Sequence, residues 1–342
     1  MSRPLRAGVI GVGMIGALHA RVYADHPSAD LVGVVDVNRV RAEDVAAELG
    51  TTAYRDLEEL LDQASLDVLS VAVPEQHRLP PAVAAAAEGV HLLLEKPLAP
   101  TLEEVDELLI ALEPTGVTSM VNFILRSDPR YLQVHASARA GAFGELRTLT
   151  ARRTGTAAGA EVYGPWTDLL ISTAIHDLDI MTWIAGAPVN RVYAEAVAGR
   201  SAEWGHEDAV LTTLRFDNDV IGSMETSWVL PASPAPLSSG LRVVGTFGGA
   251  TIEGNDHGLA LLDGDGLHRP DLANWPMGRS GVEGSLRASI DHFISCVQTG
   301  AEPVMGLRGA RAAQAVVTAI KASINSGQPV TVDTGRQRSQ PA

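Results

Sequence analysis

The chain of 342 residues is 46% hydrophobic and 20% charged, and it carries a formal net charge of −15. Its length exceeds what one hydrophobic core usually serves, so two domains are expected, and its composition excludes a disordered chain. The acidic balance argues against a nucleic-acid partner, which needs a basic surface, and the single Cys296 rules out an internal disulfide and a cysteine-based zinc site.

The segment Met1-Ser2-Arg3-Pro4-Leu5 lacks the long apolar core of a signal peptide and leads into an apolar run over residues 5–10, read as a first strand. Gly11-Val12-Gly13-Met14-Ile15-Gly16 follows, then a helical spacing through Leu18, Val22 and Tyr23. Residues 31–35 form a second strand ending in Asp36, and 41–49 a helix that Gly50 is placed to cap. The run 68–73 is continuously apolar, as in a strand buried on both faces of a parallel sheet. Even the longest such runs are strand-sized and too short for a membrane helix, so a cytoplasmic protein is expected. After Pro74 an alanine-rich helix runs to Glu88 and ends at Gly89; a strand over 90–94 then delivers Glu95-Lys96-Pro97 at its carboxyl end. Thr101 is placed to cap the next helix, with Glu103 and Glu104 on its positive dipole end, and 117–123 closes the series as a strand. Strands alternating with helices predict an open parallel sheet with helices on both faces.

Beyond Arg126-Ser127-Asp128-Pro129 the pattern changes. A helix over 129–140 ended by Gly141, a half-buried strand over 145–154, and a helix over 167–184 with Gly186 beyond it are expected. From 192 to 252 several segments alternate, notably 209–216, 220–229 and 241–244, with Asp217-Asn218-Asp219 as a turn; this predicts a largely antiparallel sheet. Residues 230–239, rich in proline and serine, read as a loop, and helices follow at 282–299 and 306–326 before a polar tail after Thr334 that is expected to fray. The expected division is therefore 1–123 and 124–342.

A lone Gly-x-Gly-x-x-Gly is weak, but here it sits between a strand and a helix, and Asp36 ends the second strand 20 residues beyond Gly16. Gly11 allows the tight turn, Gly13 lets the backbone approach a pyrophosphate, and Gly16 lets the helix pack closely on the strand. The helix N-terminus offers unpaired amides to phosphates, and Asp36 is positioned to accept the hydroxyls of an adenosine ribose. A carboxylate there repels the 2′-phosphate of NADP and favours NAD, although Arg39 and Arg41 follow closely and could neutralise that repulsion.

Lys96 is one of two lysines in a chain that has 24 arginines. A guanidinium stays charged at any workable pH, whereas an amine is tunable by burial, so a site that kept lysine is a candidate for proton chemistry. The second candidate lies in Ser172-Thr173-Ala174-Ile175-His176-Asp177-Leu178-Asp179, where helical spacing puts Ser172, His176 and Asp179 on one face. A hydroxyl, an imidazole and a carboxylate together suit a reaction that moves a proton alongside a hydride.

These segments, taken in order, closely resemble the Gfo/Idh/MocA family, the glucose-fructose oxidoreductase and inositol dehydrogenase group. The resemblance rests on the glycine turn, Asp36, Val71-Ala72-Val73-Pro74 with His77, Glu95-Lys96-Pro97, residues 126–129 and His176-x-x-Asp179, and it covers nearly the whole chain. It implies an α/β protein: an N-terminal Rossmann dinucleotide-binding domain, then an α+β domain with a large, mainly antiparallel open sheet that packs against partner subunits in homodimers or homotetramers. It implies NAD or NADP held by Gly11, Gly13, Met14, Ile15, Gly16, Asp36, Val37, Asn38, Arg41, Val73, Pro74, His77, Glu95, Lys96, Asn122 and Arg126. It also implies that Lys96 and His176 flank the substrate carbon facing the nicotinamide. The expected reaction is hydride transfer between the nicotinamide and a secondary alcohol or ketone of a sugar, sugar derivative or cyclitol. Arg152, Arg153, Tyr163 and Trp166 are candidates for gripping that substrate. One departure stands out: inositol-dehydrogenase-like members carry aspartate where this chain has Ser172, a serine cannot hold imidazolium charge, and Asp168 or Asp179 would have to compensate. A zinc-dependent polyol dehydrogenase is a poor rival for want of clustered ligands; no metal is expected. A non-catalytic member that senses NAD(P) or a sugar is the other rival, disfavoured by the retention of both Lys96 and His176.

Overall fold

The computed structural model describes residues 3–231, 238–264 and 266–335, which form two compact units. The first comprises residues up to Asp128 together with Asn274–Ala310. Its core is a five-stranded parallel sheet in the order β2-β1-β3-β4-β5, built from β1 (Leu5–Ile10), β2 (Ala29–Val35), β3 (Val68–Val71), β4 (His91–Leu94) and β5 (Ser119–Val121). β3 is buried throughout, as a strand covered by helices on both faces must be. Around the sheet lie α1 (Met14–Ala24), α2 (Arg39–Leu49), α3 (Leu57–Ala64), α4 (Leu79–Ala87) and α5 (Leu102–Leu112).

Local chemistry sets the helix ends. The Asn38 side chain accepts from the Arg41 N–H, Asp56 from Glu59 and Thr101 from Glu104, while Gly50 closes α2 in the left-handed region at φ +66°. Several expected bounds shift. β3 stops at Val71 and β5 spans only Ser119–Val121, because the chain turns where Phe123 N–H bonds back to Val121 O. The helix expected after Pro74 is divided into a 3₁₀ turn (Glu75–His77) and α4, and α3 was not foreseen.

The unit is discontinuous in sequence, which the contiguous division at residue 123 did not anticipate. The reason is specific pairing: Val121 N–H donates to Met305 O at 2.8 Å, Ser289 Oγ to Asn122 Oδ1 at 2.6 Å, and Arg126 Nη1 to Val304 O at 2.8 Å.

The second unit comprises Pro129–Ala273 and the residues from Arg311 on. It holds α6 (Pro129–Arg139), β6 (Leu146–Thr156), α7 (Ala157–Tyr163), α8 (Ile175–Ala185), β7 (Val189–Val197), β8 (Ala209–Phe216), β9 (Ile221–Leu230), β10 (Ser238–Gly245), β11 (Gly249–Glu253) and the hairpin β12 (Leu261–Asp263) with β13 (Gly266–His268). A second hairpin, β14 (Met277–Gly278) with β15 (Gly281–Val282), and α9 (Gly284–Thr299) belong to the first unit; α10 (Leu307–Ser326) and β16 (Val330–Thr331) complete the chain. The seven-stranded sheet runs β11-β10-β6-β9-β8-β7-β16, with one parallel pair, β6 and β9, among antiparallel ones. The mainly antiparallel sheet expected from the alternation is thus present, with a parallel seam at its centre. The helix expected over 167–184 is not uniform: a π-turn (Leu170–Ala174) precedes α8. Of the loop expected at 230–239, residues 232–237 lie outside the described residues, as does the tail from 336. Among the described residues no helix is long and apolar enough to cross a membrane.

Candidate active site

In the order β2-β1-β3-β4-β5 the chain runs outward on both sides of the β1/β3 boundary, so the carboxyl ends of β1 and β3 mark the switch point where open α/β sheets bind ligands. The glycine turn leaves β1 there. Gly11 has φ +83°, and a Cβ on it would lie 2.8 Å from Ala72 C and Val73 N. A Cβ on Gly16 would fall 1.7 Å from Gly11 O, so only glycine allows α1 to start this close to β1. Gly13 is different: nothing lies within 4 Å of where its Cβ would be. That open cradle, and a first helical turn at Met14 and Ile15 with no side-chain cap and no acidic residue, suit a pyrophosphate.

Asp36 ends β2 and is 8% exposed. Its oxygens accept from Val12 N–H and Asn38 N–H, both at 2.8 Å, and Arg41 Nη1 lies 3.5 Å from Oδ2. The first bond ties this acid directly to the glycine turn. Val37 is fully exposed beside it, and the Asn38 side chain is occupied as the cap of α2. On the β3 side Val73 is half-buried, Pro74 and His77 are exposed, and the half-buried Arg126 reaches Val304 O. These residues fit a dinucleotide.

Next along the edge, aligned register puts Leu94 opposite both Val71 and Val121, so Glu95 and Asn122 emerge side by side. Lys96 is half-buried and joined to Pro97 by a cis peptide. Glu95 and Asn122, expected among cofactor contacts, turn inward instead. Asn122 is 1% exposed, and its amide is used at both ends, donating to Glu95 Oε1 at 2.6 Å and accepting from Ser289. Burial pushes the Glu95 carboxyl up, but His19, Lys96 and Asn122 outweigh it and hold it below the ordinary carboxylate range.

In the second unit, Ser172 and His176 are half-buried and Asp179 is buried. The phase relating Ser172 to His176 is not that of an α-helix, because the π-turn widens the first turn; His176 and Asp179 both lie within α8. Asp168 is not available to replace the missing aspartate. One oxygen caps the helix start by accepting from Leu170 and Ile171 N–H at 2.9 and 3.0 Å, and the other meets Lys321 Nζ at 2.6 Å.

The substrate-gripping candidates divide. Arg153 is committed to a buried bidentate pair with Asp177, at 2.7 and 2.9 Å, that ties β6 to α8. Strand alternation then sends Arg152 to the opposite, exposed face, where it pairs with Glu253, so it does not join His176. Tyr163 and Trp166 do come together, edge to face at 5.7 Å, and Tyr163 also lies 6.4 Å from Trp228. Trp228 Nε1 donates to Thr173 Oγ1 at 3.0 Å, and Thr173 Oγ1 is 3.2 Å from Ser172 Oγ. Neither Trp228 nor Thr173 was identified from sequence; a tryptophan in an alternating strand gives no sign of which helix it will touch.

A parallel α/β sheet with a glycine turn at its switch point and an acid at the end of β2 defines a dinucleotide-binding domain of the Rossmann type. Two family descriptions match in sequence: an oxidoreductase family with an NAD-binding Rossmann fold over residues 5–123, and that family's C-terminal alpha/beta domain over 139–332. The chain belongs to this family, Gfo/Idh/MocA. It is similar to scyllo-inositol 2-dehydrogenase (NAD(+)) of Bacillus subtilis, 28% identical over 98% of both chains. It is 32% identical to UDP-N-acetylglucosamine 3-dehydrogenase of Acidithiobacillus ferrooxidans, over 66% of this chain and 68% of that one. Its fold matches the crystal structure of myo-inositol 2-dehydrogenase from Lactobacillus plantarum with a TM-score of 0.86 at 22% identity, covering 97% of this chain and 100% of that one.

Proposed function

We propose that the chain interconverts a ring secondary alcohol and ketone of a cyclitol or sugar with NAD, and that Lys96 and His176 handle the proton. The observation that carries this is the placement of Lys96: a half-buried amine at the carboxyl end of β4, beside a buried carboxylate, on the same sheet edge as the glycine turn and Asp36. Relatives named as inositol and sugar dehydrogenases support the substrate class.

NAD, held by the turn amides, Gly13 and Asp36, supplies the hydride acceptor for oxidation. The remaining work falls to side chains. Lys96 Nζ holds the reacting oxygen and stabilises charge that develops on it. An ordinary imidazole titrates at about 6.5, so the His176 ring is suited to take the hydroxyl proton and to return it in reduction. Tyr163 and Trp166 offer aromatic faces to the C–H face of a ring, and Ser172 offers a hydroxyl where relatives have a carboxylate.

The test is a panel of inositols, other cyclitols, sugars and their keto forms, followed by absorbance of the reduced cofactor with NAD and with NADP. Turnover with at least one ring polyol is expected, falling on the order of a thousandfold in Lys96→Ala and in His176→Ala. Full turnover in Lys96→Ala refutes the proton assignment; binding of NAD with no turnover on any ring polyol refutes the substrate class.

A further inference from the structure

The first unit contains a branched chain of buried hydrogen bonds that the binding of a dinucleotide does not explain. Its hub is Glu95. Oε1 accepts from Asn122 Nδ2 at 2.6 Å and faces His19 Nε2 at 3.2 Å, and Oε2 accepts from the Lys96 backbone N–H at 3.1 Å. One arm continues from Asn122 Oδ1 to Ser289 Oγ at 2.6 Å. The other continues from His19 Nδ1 to Ser70 Oγ and from there to Tyr23 OH, each at 3.0 Å. His19, Ser70, Tyr23 and Ser289 are all 0% exposed.

The donors can be ordered along both arms. His19 Nε2 lies 3.2 Å from both Glu95 Oε1 and Asn122 Nδ2. An ionised Glu95 only accepts, which favours the tautomer with the proton on Nε2, and in it Nδ1 accepts from the Ser70 hydroxyl, which in turn accepts from Tyr23. On the other arm Ser289 donates to Asn122 and Asn122 donates to Glu95. In that tautomer every donor points toward one carboxylate, an arrangement in which each bond polarises the next. The other charged groups acting with the hub are Lys96 itself and the buried Arg78, which also faces Glu75 and whose Nη2 donates to Val73 O at 2.7 Å.

Ser289 comes from α9, 167 residues beyond Asn122, so the return of the chain to the first unit delivers the last link. A sheet that needed only to bind a nucleotide could have filled these positions with leucine, as its neighbours Leu92, Leu93 and Leu94 are filled.

We propose that His19, Asn122 and Ser289 are positioning residues for Lys96: two hydrogen-bonded arms clamp the Glu95 carboxylate, and through it the backbone and charge of the lysine, at the carboxyl edge of the sheet. The proposal rests on the reading of Lys96 given above. The chain's lysine count makes it testable, since reductive ¹³C-methylation of the full-length protein labels only Lys96, Lys321 and the terminal amine. In Ser289→Ala, which deletes one oxygen, the Lys96 methyl signal is expected to shift and its titration midpoint to move, while the Lys321 signal stays in place. In unmodified protein the same variant is expected to lower kcat about tenfold with KM for NAD held within about twofold, and His19→Gln to do the same. Ser289→Thr, which keeps the hydroxyl, restores the signal and the rate. Unchanged Lys96 signals and kcat in both Ser289→Ala and His19→Gln overturn the proposal. Failure of the Lys96 reading shows separately, as undiminished turnover in Lys96→Ala, and leaves the lysine signals to decide the positioning role.

Discussion

The buried pair of Arg153 and Asp177 makes the sharpest energetic prediction. Its side chains are 8% and 2% exposed and meet through two hydrogen bonds of 2.7 and 2.9 Å. Asp177→Asn keeps the shape and removes the charge, leaving a guanidinium buried without its counter-ion; the expected cost is about 3–5 kcal/mol. Arg153→Met strands the carboxylate and should cost a similar amount. The double variant Arg153→Met with Asp177→Leu strands no charge and leaves only the Tyr131 hydroxyl without its Arg153 partner, so it should lie within about 1–3 kcal/mol of wild type, giving a coupling well above 2 kcal/mol. Four of the five tryptophans, Trp166, Trp183, Trp204 and Trp228, lie in the second unit, so tryptophan fluorescence in urea follows this unit preferentially. The single variants are expected to lower its thermal midpoint by roughly 6–15 °C. A cost below about 1 kcal/mol for Asp177→Asn, or a double variant as unstable as the sum of the singles, would refute the reasoning.

The dinucleotide turn separates folding from binding. Gly16→Ala forces a methyl to within 1.7 Å of Gly11 O and should destabilise the first unit by about 1–3 kcal/mol in chemical denaturation. Gly13→Ala meets nothing within 4 Å and should unfold like wild type, yet bind NAD at least tenfold more weakly by titration calorimetry; unaltered NAD affinity would show that the cradle is not used. Asp36→Ser removes a charged acceptor, so NAD affinity should fall about 10–100-fold and the NAD over NADP preference should vanish; a wild-type protein that prefers NADP contradicts the role given to Asp36. Because the folded Glu95 carboxyl is held below its ordinary value of 4.5, its stabilisation is present above that pH and is lost as pH falls through the lower folded value. The stability gap of wild type over Glu95→Gln should therefore be flat near neutrality and close in the acid range; a gap that stays constant down to about pH 3 would mean that Glu95 is not an ionised hub.

What could be read from sequence was local. Gly11, Gly50 and Gly186 were legible because a positive φ is a property of the residue itself, and the cap at Thr101 because capping needs only three or four residues; the cap at Asn38, which starts α2 two residues earlier than expected, was missed. Strand alternation placed Arg152 and Arg153 on opposite faces but could not say which face is covered; that was decided by the register of β6 against β9 and by Asp177. The π-turn before α8 was invisible for a related reason, since nothing in Leu170–Ala174 departs from ordinary helical composition. Ser289 and Asn122 formed no recognisable motif, because the pair exists only through a loop closure of 167 residues.

The same contacts change how the serine at position 172 is understood. If Asp168 were free, it could take over the role of the aspartate that the family resemblance implies at this position. It is instead consumed by two backbone N–H groups and by Lys321, at the start of the helical segment that bears His176. Lys321 Nζ pairs with the carboxylate that starts the histidine helix, whereas the bond from Lys96 to Glu95, just beyond β4, comes from the backbone N–H. Position 172 therefore brings a hydroxyl, and no carboxylate, to the helical segment that leads into His176, and the proton transfer proposed for Lys96 and His176 does without that acceptor.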